Sequence, residues 1–111
     1  MKLLIIGSRT ITDFDLSRYV PEETTLIISG GAKGIDTLAE RYADEKGIEK
    51  LIIRPEYQKF GKAAPIKRNE QMVDLSDIVL AVWDGESRGT KYTLNYCEKI
   101  GKKFIDIVVP K

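Results

Sequence analysis

The sequence predicts an α/β fold, one domain built on a parallel sheet of about five strands with helices on both of its faces. Three observations carry that prediction. Short runs of Ile, Leu and Val recur along the chain, helical periodicity fills the stretches between them, and clusters of glycine, hydroxyl and basic residues follow several of the runs. Continuous rather than alternating hydrophobicity marks strands covered on both faces, and strands alternating with helices imply right-handed crossovers between parallel neighbours. The result is a Rossmann-like layered domain.

The first run, Leu3 to Ile6, leads straight into Gly7-Ser8-Arg9 and is too short for the apolar core of a signal peptide, so it reads as a buried strand. Asp13 or Asp15 at the start and Pro21 at the end bracket a short helix. Leu26 to Ile28 is the second strand, followed by Ser29-Gly30-Gly31-Ala32-Lys33-Gly34. Ile35, Leu38, Ala39, Tyr42 and Ala43 then recur at i, i+3, i+4, i+7 and i+8, which predicts a helix stopped by Gly47. Leu51 to Ile53 is the third strand, and Glu56 to Ala64 is a longer polar loop placed to wall a site. Pro65 suits the first position of a further helix. On it, Ile66, Asn69 and Val73 share a face, which turns the Asn69 amide inward, either to pin loop backbone or to contact a ligand. Ile78 to Val82 forms the fourth strand and runs through Trp83-Asp84 into Gly85 to Thr90. The last helix starts at about Gly89 with Leu94, Cys97 and Ile100 inward and Gly101 at its end, and Phe104 to Val109 closes the sheet.

At 111 residues the whole chain, 1–111, is expected to form a single domain with one core and no separate lid or catalytic domain. A hydrophobic fraction of 42% and a charged fraction of 32% suit a soluble globular protein. No apolar run approaches the roughly 18 to 20 residues of a membrane span, so no membrane partner and a cytoplasmic location are expected. Eighteen basic and 17 acidic residues leave a net charge of +1, so any anion binding must be local rather than driven by a global field. One cysteine and no histidine exclude an internal disulfide, a histidine-based triad and a zinc site, and no resident cofactor is expected. Cys97 reads as a small buried hydrophobe.

In open α/β sheets ligands bind beyond the carboxyl ends of the strands, where strand order reverses. Three clusters fall at such ends: Gly7-Ser8-Arg9, Ser29 to Gly34, and Ser87-Arg88-Gly89-Thr90. Glycine lets backbone N–H groups approach an anion, a helix N-terminus adds partial positive charge, and Arg or Lys supplies charge-assisted hydrogen bonds. The bland alternative for Ser29 to Gly34 is a strand-to-helix turn, and for Arg9 an exposed arginine. Neither the P-loop spacing nor the GxGxxG fingerprint is matched, so ATPase and ordinary NAD chemistry gain no support. Lys67 and Arg68 open the third long helix, with Arg68 the stronger candidate for ligand contact. Asp84 either orients its own loop or faces the ligand, Trp83 is core or site wall, and Asp36 in a helix's first turn is accounted for by the helix dipole.

Together, Gly7-Ser8-Arg9, Ser29-Gly30-Gly31-Ala32-Lys33-Gly34-Ile35-Asp36, Lys67-Arg68-Asn69-Glu70, and Asp84-Gly85 with Ser87-Arg88-Gly89-Thr90 resemble the SLOG superfamily, most closely its YspA-type branch. The resemblance spans nearly the whole chain. It implies a Rossmannoid domain that binds nucleotides or nucleotide-derived ligands and, by analogy with the superfamily's enzymes, a homodimer or higher homo-oligomer. The superfamily's phosphoribohydrolases carry Gly-Gly-x-Gly-Thr-x-x-Glu, whereas here the glycine pair is Glu86-Ser87 and the glutamate position holds Thr93. A threonine supplies no carboxylate to an oxocarbenium-like state. Arg68 stands for the catalytic arginine of that branch, and Glu70, Asp84 or Glu86 are the candidate acids. The DNA-processing branch is similar in Ser-Gly-Gly-Ala-Lys-Gly-Ile-Asp and binds single strands. Lys59, Phe60, Lys62, Lys67 and Arg68 with Tyr57 form only a small basic and aromatic surface of the kind such binding needs. The leading expectation is a binding module for a phosphorylated nucleoside. Hydrolysis of a nucleoside 5′-monophosphate and weak binding of single-stranded nucleic acid are the alternatives.

Overall fold

Strands β1 (Lys2–Gly7) and β4 (Ile78–Trp83) are apolar on both faces, and they lie side by side at the centre of the sheet with Ile5 opposite Leu80. The computed structural model describes residues 1–110. Strands β2 (Leu26–Ser29), β3 (Glu49–Ile52) and β5 (Phe104–Val108) complete a five-stranded parallel sheet in the order β3-β2-β1-β4-β5. Each parallel neighbour is reached through a crossover, as the alternating pattern requires.

Because side chains alternate along a strand, the two faces of the sheet bury different sets. Leu3, Ile5, Ile27, Leu80 and Val82 pack beneath helix α1 (Ile35–Lys46) through Ile35, Ala39 and Ala43. Leu4, Ile6, Ile28, Val79, Ala81 and Trp83 pack beneath α3 (Ala64–Leu75) and α4 (Arg88–Ile100) through Met72, Val73, Leu94 and Cys97. Burial of each large aliphatic side chain contributes about 1.5–3 kcal/mol, so the central strands hold both layers to the sheet. Trp83 belongs to this core and donates its indole N–H to Asp106 at 2.7 Å. Cys97 is fully buried, and that burial pushes its thiol above its ordinary range.

Several local expectations are corrected. Continuous hydrophobicity holds for β1 and β4, but β3 begins earlier than expected, at Glu49, and its Leu51 is 40% exposed. It is an edge strand, paired only with β2, so one side of it meets solvent. The segment between Asp13 and Pro21 makes only a 3-10 turn, Leu16–Arg18, whose start Asp15 caps by accepting the Ser17 N–H at 3.1 Å. The stretch expected as loop, Glu56 to Ala64, contains the one-turn helix α2 (Tyr57–Phe60) and a 3-10 turn at Gly61–Ala63 that feeds into α3. Ile100, in the last turn of α4, is 43% exposed rather than inward. Ile66 is likewise 40% exposed, whereas Val73 is buried and Asn69 is half-buried, so of the expected inward face of α3 only Ile66 turns out.

Candidate functional site

The sheet order reverses between β1 and β4, and the crevice beyond their carboxyl ends is the place where such sheets accept ligands. At that point β1 ends in Gly7, where an added Cβ would lie 1.9 Å from the Val82 carbonyl oxygen and 2.7 Å from the Ile35 side chain. Only a residue without a side chain lets β1, β4 and α1 meet so closely. Ser8 then ties them together. Its N–H donates to the Val82 carbonyl at 3.2 Å, its carbonyl accepts the Ile35 N–H at 3.2 Å, and its hydroxyl accepts the Asp84 N–H at 3.0 Å.

The glycine-rich loop between β2 and α1 folds onto this junction. Gly34 has φ of 73° and ψ of −125°, and a Cβ there would lie 2.4 Å from the Ser8 carbonyl oxygen. Two of the loop's own N–H groups have protein acceptors: Gly31 donates to the Ser29 hydroxyl at 3.2 Å and Ala32 to Asp36 Oδ2 at 3.1 Å. From the opposite side, Arg68 on α3 donates through Nη1 to the carbonyls of Gly30 at 2.8 Å and Ile53 at 3.3 Å, while its Nε donates to Asn69 Oδ1 at 2.7 Å. Arg68 therefore pins the loops after β2 and β3, and Asn69 orients Arg68; the amide itself makes no bond to the loop backbone.

The loop after β4 is organised by Asp84, whose Oδ1 accepts the N–H groups of Glu86 at 2.8 Å and Ser87 at 3.1 Å. Ser87 caps α4, its hydroxyl accepting the Thr90 N–H at 3.5 Å. The N–H groups of Arg88 and Gly89, in the first turn, have no acceptor among the described residues, as expected for a helix start.

These elements enclose a cleft of about 370 Å³. The β1 loop lines it with Gly7, Ser8, Arg9 and Thr10, and the β2 loop and α1 with Ala32 and Asp36. Asp84, Ser87, Gly89, Thr90 and Thr93 come from the end of β4 and from α4. Helix α3 contributes Pro65, Arg68, Asn69 and Met72, with Ile6 at the floor. Among the residues expected at a site, Ser29, Gly30, Gly31, Lys33, Gly34, Lys67 and Arg88 lie outside this lining; Ser29 is buried beneath it and Lys33 is exposed. Of the candidate acids, Glu70 accepts the Tyr92 hydroxyl at 2.6 Å and Glu86 is exposed, both off the cleft, whereas Asp84 lines it. Thr93 is 1% exposed and donates its hydroxyl to the Gly89 carbonyl at 2.8 Å.

Reading the residues singly missed Ile6, Thr10, Pro65 and Met72. Pro65, Arg68, Asn69 and Met72 fall at i, i+3, i+4 and i+7, so helical spacing counted from Pro65 would have found the face of α3 that borders the cleft. The signs of charge are balanced, with Arg9 and Arg68 against Asp36 and Asp84. Burial pushes the Asp36 carboxyl above its ordinary value, opposed by the Ala32 N–H and the Arg68 charge. Burial also lowers the Arg68 guanidinium, and nearby Asp36 opposes that shift. No group of three or more His, Cys, Asp or Glu able to hold a metal ion gathers among the described residues.

Residues 1–60, which carry β1, the glycine-rich loop, α1 and β3, match the family model described as YspA, cpYpsA-related SLOG family. The chain belongs to that family. Membership supports a nucleotide-related binding or processing role for this SLOG protein. It is similar to the Gene 61 protein of Mycobacterium phage D29, with 33% identity over 82 residues, covering 68% of this chain and 66% of the phage protein. It also resembles the SPbeta prophage-derived protein YoqJ of Bacillus subtilis (strain 168), with 48% identity over 40 residues, covering 36% of this chain and 23% of YoqJ. The matched stretches thus span less than two thirds of these relatives' own lengths. No solved structure gives a significant match to this SLOG chain. None of its helices, among the described residues, is long and apolar enough to cross a membrane.

Proposed function

We propose that this SLOG protein is a binding module for a phosphorylated nucleoside, held in the cleft between the carboxyl ends of β1 and β4 with its phosphate against the first turn of α4. The observation that carries the reading is the opening of that turn, through Ser87, Gly89 and Thr90, on the same cleft as Arg9. Unsatisfied N–H groups and the helix dipole favour an anion there, and Arg9 adds a charge-assisted donor. The glycine-rich loop after β2 has a supporting role, since the N–H groups of Gly31 and Ala32 already bind Ser29 and Asp36. Hydrolysis gains nothing from Thr93, whose hydroxyl is committed to a backbone carbonyl.

Calorimetry with a panel of nucleoside mono-, di- and triphosphates tests the proposal. One class should bind at micromolar strength, and Arg9→Ala should weaken it by about tenfold or more, the value of one charge-assisted hydrogen bond. The reading fails if none binds, or if Arg9→Ala and Thr90→Val both leave the affinity unchanged.

A further inference from the structure

Asp36 is only 8% exposed, yet it lines the cleft. Its Oδ2 accepts the Ala32 N–H at 3.1 Å, while Oδ1 has no hydrogen-bond partner among the described residues, and no cation stands within 4.0 Å. A helix-capping role needs only the first oxygen. The second oxygen is not sealed off, because Thr24 Oγ1 is the one buried side-chain atom without a partner among the described residues; Oδ1 therefore opens on the cleft, free to accept from a donor that arrives with a ligand.

Arg68 is close enough to influence Asp36 electrostatically, but its Nε and Nη1 are held by Asn69, Gly30 and Ile53 rather than by the carboxylate. A phosphate placed beside Asp36 would meet like charge. The α4 end of the same cleft offers N–H groups instead, so the two ends select different parts of one ligand: an anion at Ser87 to Thr90, and an uncharged hydrogen-bond donor at Asp36. A vicinal diol presents two hydroxyls to a carboxylate, and in dinucleotide-binding sheets an acidic residue recognises ribose in this way.

We propose that Asp36 is a specificity-determining residue that reads the 2′,3′-diol of the ligand, so that the cleft takes ribose 5-phosphate esters in preference to their 2-deoxy counterparts. This rests on the nucleotide reading above.

The test measures binding of the full chain to ribose 5-phosphate, 2-deoxyribose 5-phosphate, and the four common ribonucleoside 5′-monophosphates with their 2′-deoxy analogues. The ribo compound of each pair should bind about tenfold tighter, the value of a hydrogen bond to a charged group. Asp36→Asn should bring the ribo compounds down to the deoxy level while changing the deoxy affinities by no more than about twofold. Equal affinities within each pair for the wild type overturn the proposal without needing any variant to fold. So does a loss in Asp36→Asn shared equally by ribo and deoxy compounds, which would mark a structural role, and so does a preference that follows the base's amino groups. In each of those three cases, binding that still depends on Arg9 leaves the nucleotide reading standing. If no compound binds the wild type, both fall.

Discussion

The Ser8 hydroxyl accepts the backbone N–H of Asp84 at 3.0 Å, linking the carboxyl ends of β1 and β4 at the point where the sheet reverses its order. Ser8 is buried, so its removal exposes no easy substitute for that acceptor. Ser8→Ala should therefore cost about 1–3 kcal/mol, the penalty for stranding a buried donor. Urea denaturation reads it. A loss below about 0.5 kcal/mol would mean that water takes over the bond.

Gly34 and Gly47 both have positive φ, 73° and 68°, but their surroundings differ. A Cβ on Gly34 would collide with the Ser8 and Arg9 carbonyls at 2.4 and 2.5 Å, whereas one on Gly47 meets nothing within 4 Å. Gly47→Ala should cost about 1–2 kcal/mol for backbone strain alone. Gly34→Ala should cost at least about 3 kcal/mol, because the loop must also move off β1. Thermal melts of the two variants decide the matter, and equal losses would mean that the β1 contact carries no energy.

Much of this architecture was legible because local and long-range signals agree. Leu3 to Ile6 and Ile78 to Val82 are apolar at every position, and the centre of a parallel sheet is where such runs can be buried. Gly47 and Gly101 marked the ends of α1 and α4 because both helices stop in left-handed turns. The edges were less legible. Glu49 and Lys50 do not look like strand residues, and only pairing with β2 makes them one. The cleft was legible as clusters but not as roles. Arg68 looks from its neighbours like a ligand contact, and its use as a pin depends on Gly30 and Ile53, residues 38 and 15 positions away. Asp36 reads as a dipole cap because nothing local reports that Arg68, 32 positions on, comes close to it or that it borders the cleft.

Since Arg68 holds two loops through one guanidinium, Arg68→Lys should not be conservative. Lysine replaces the planar fork with a single point charge that cannot keep the bonds to Gly30, Ile53 and Asn69 together. A loss of about 2 kcal/mol or more is expected, with faster hydrogen exchange in both loops. Retention of wild-type stability would show that the loops hold themselves.

Asp36 should reveal its burial by its titration. Its ordinary value is 3.8 and burial raises it, whereas Ser17 lowers Asp15 and the Lys2 N–H, donating at 2.7 Å, lowers Asp77. Carbon-detected NMR should therefore place Asp36 above 3.8 and the other two below. A group raised by folding favours the folded state most below its unfolded value, and that contribution disappears as pH rises through the raised value. Asp36→Asn should accordingly gain stability relative to the wild type between pH 3 and neutrality. Ribose 5-phosphate should push the titration back down, because hydroxyls donating to the carboxylate favour its charged form. An Asp36 titration at or below 3.8 in the unliganded protein would contradict the buried placement, and one that ribose 5-phosphate leaves unmoved at saturation would place the diol elsewhere.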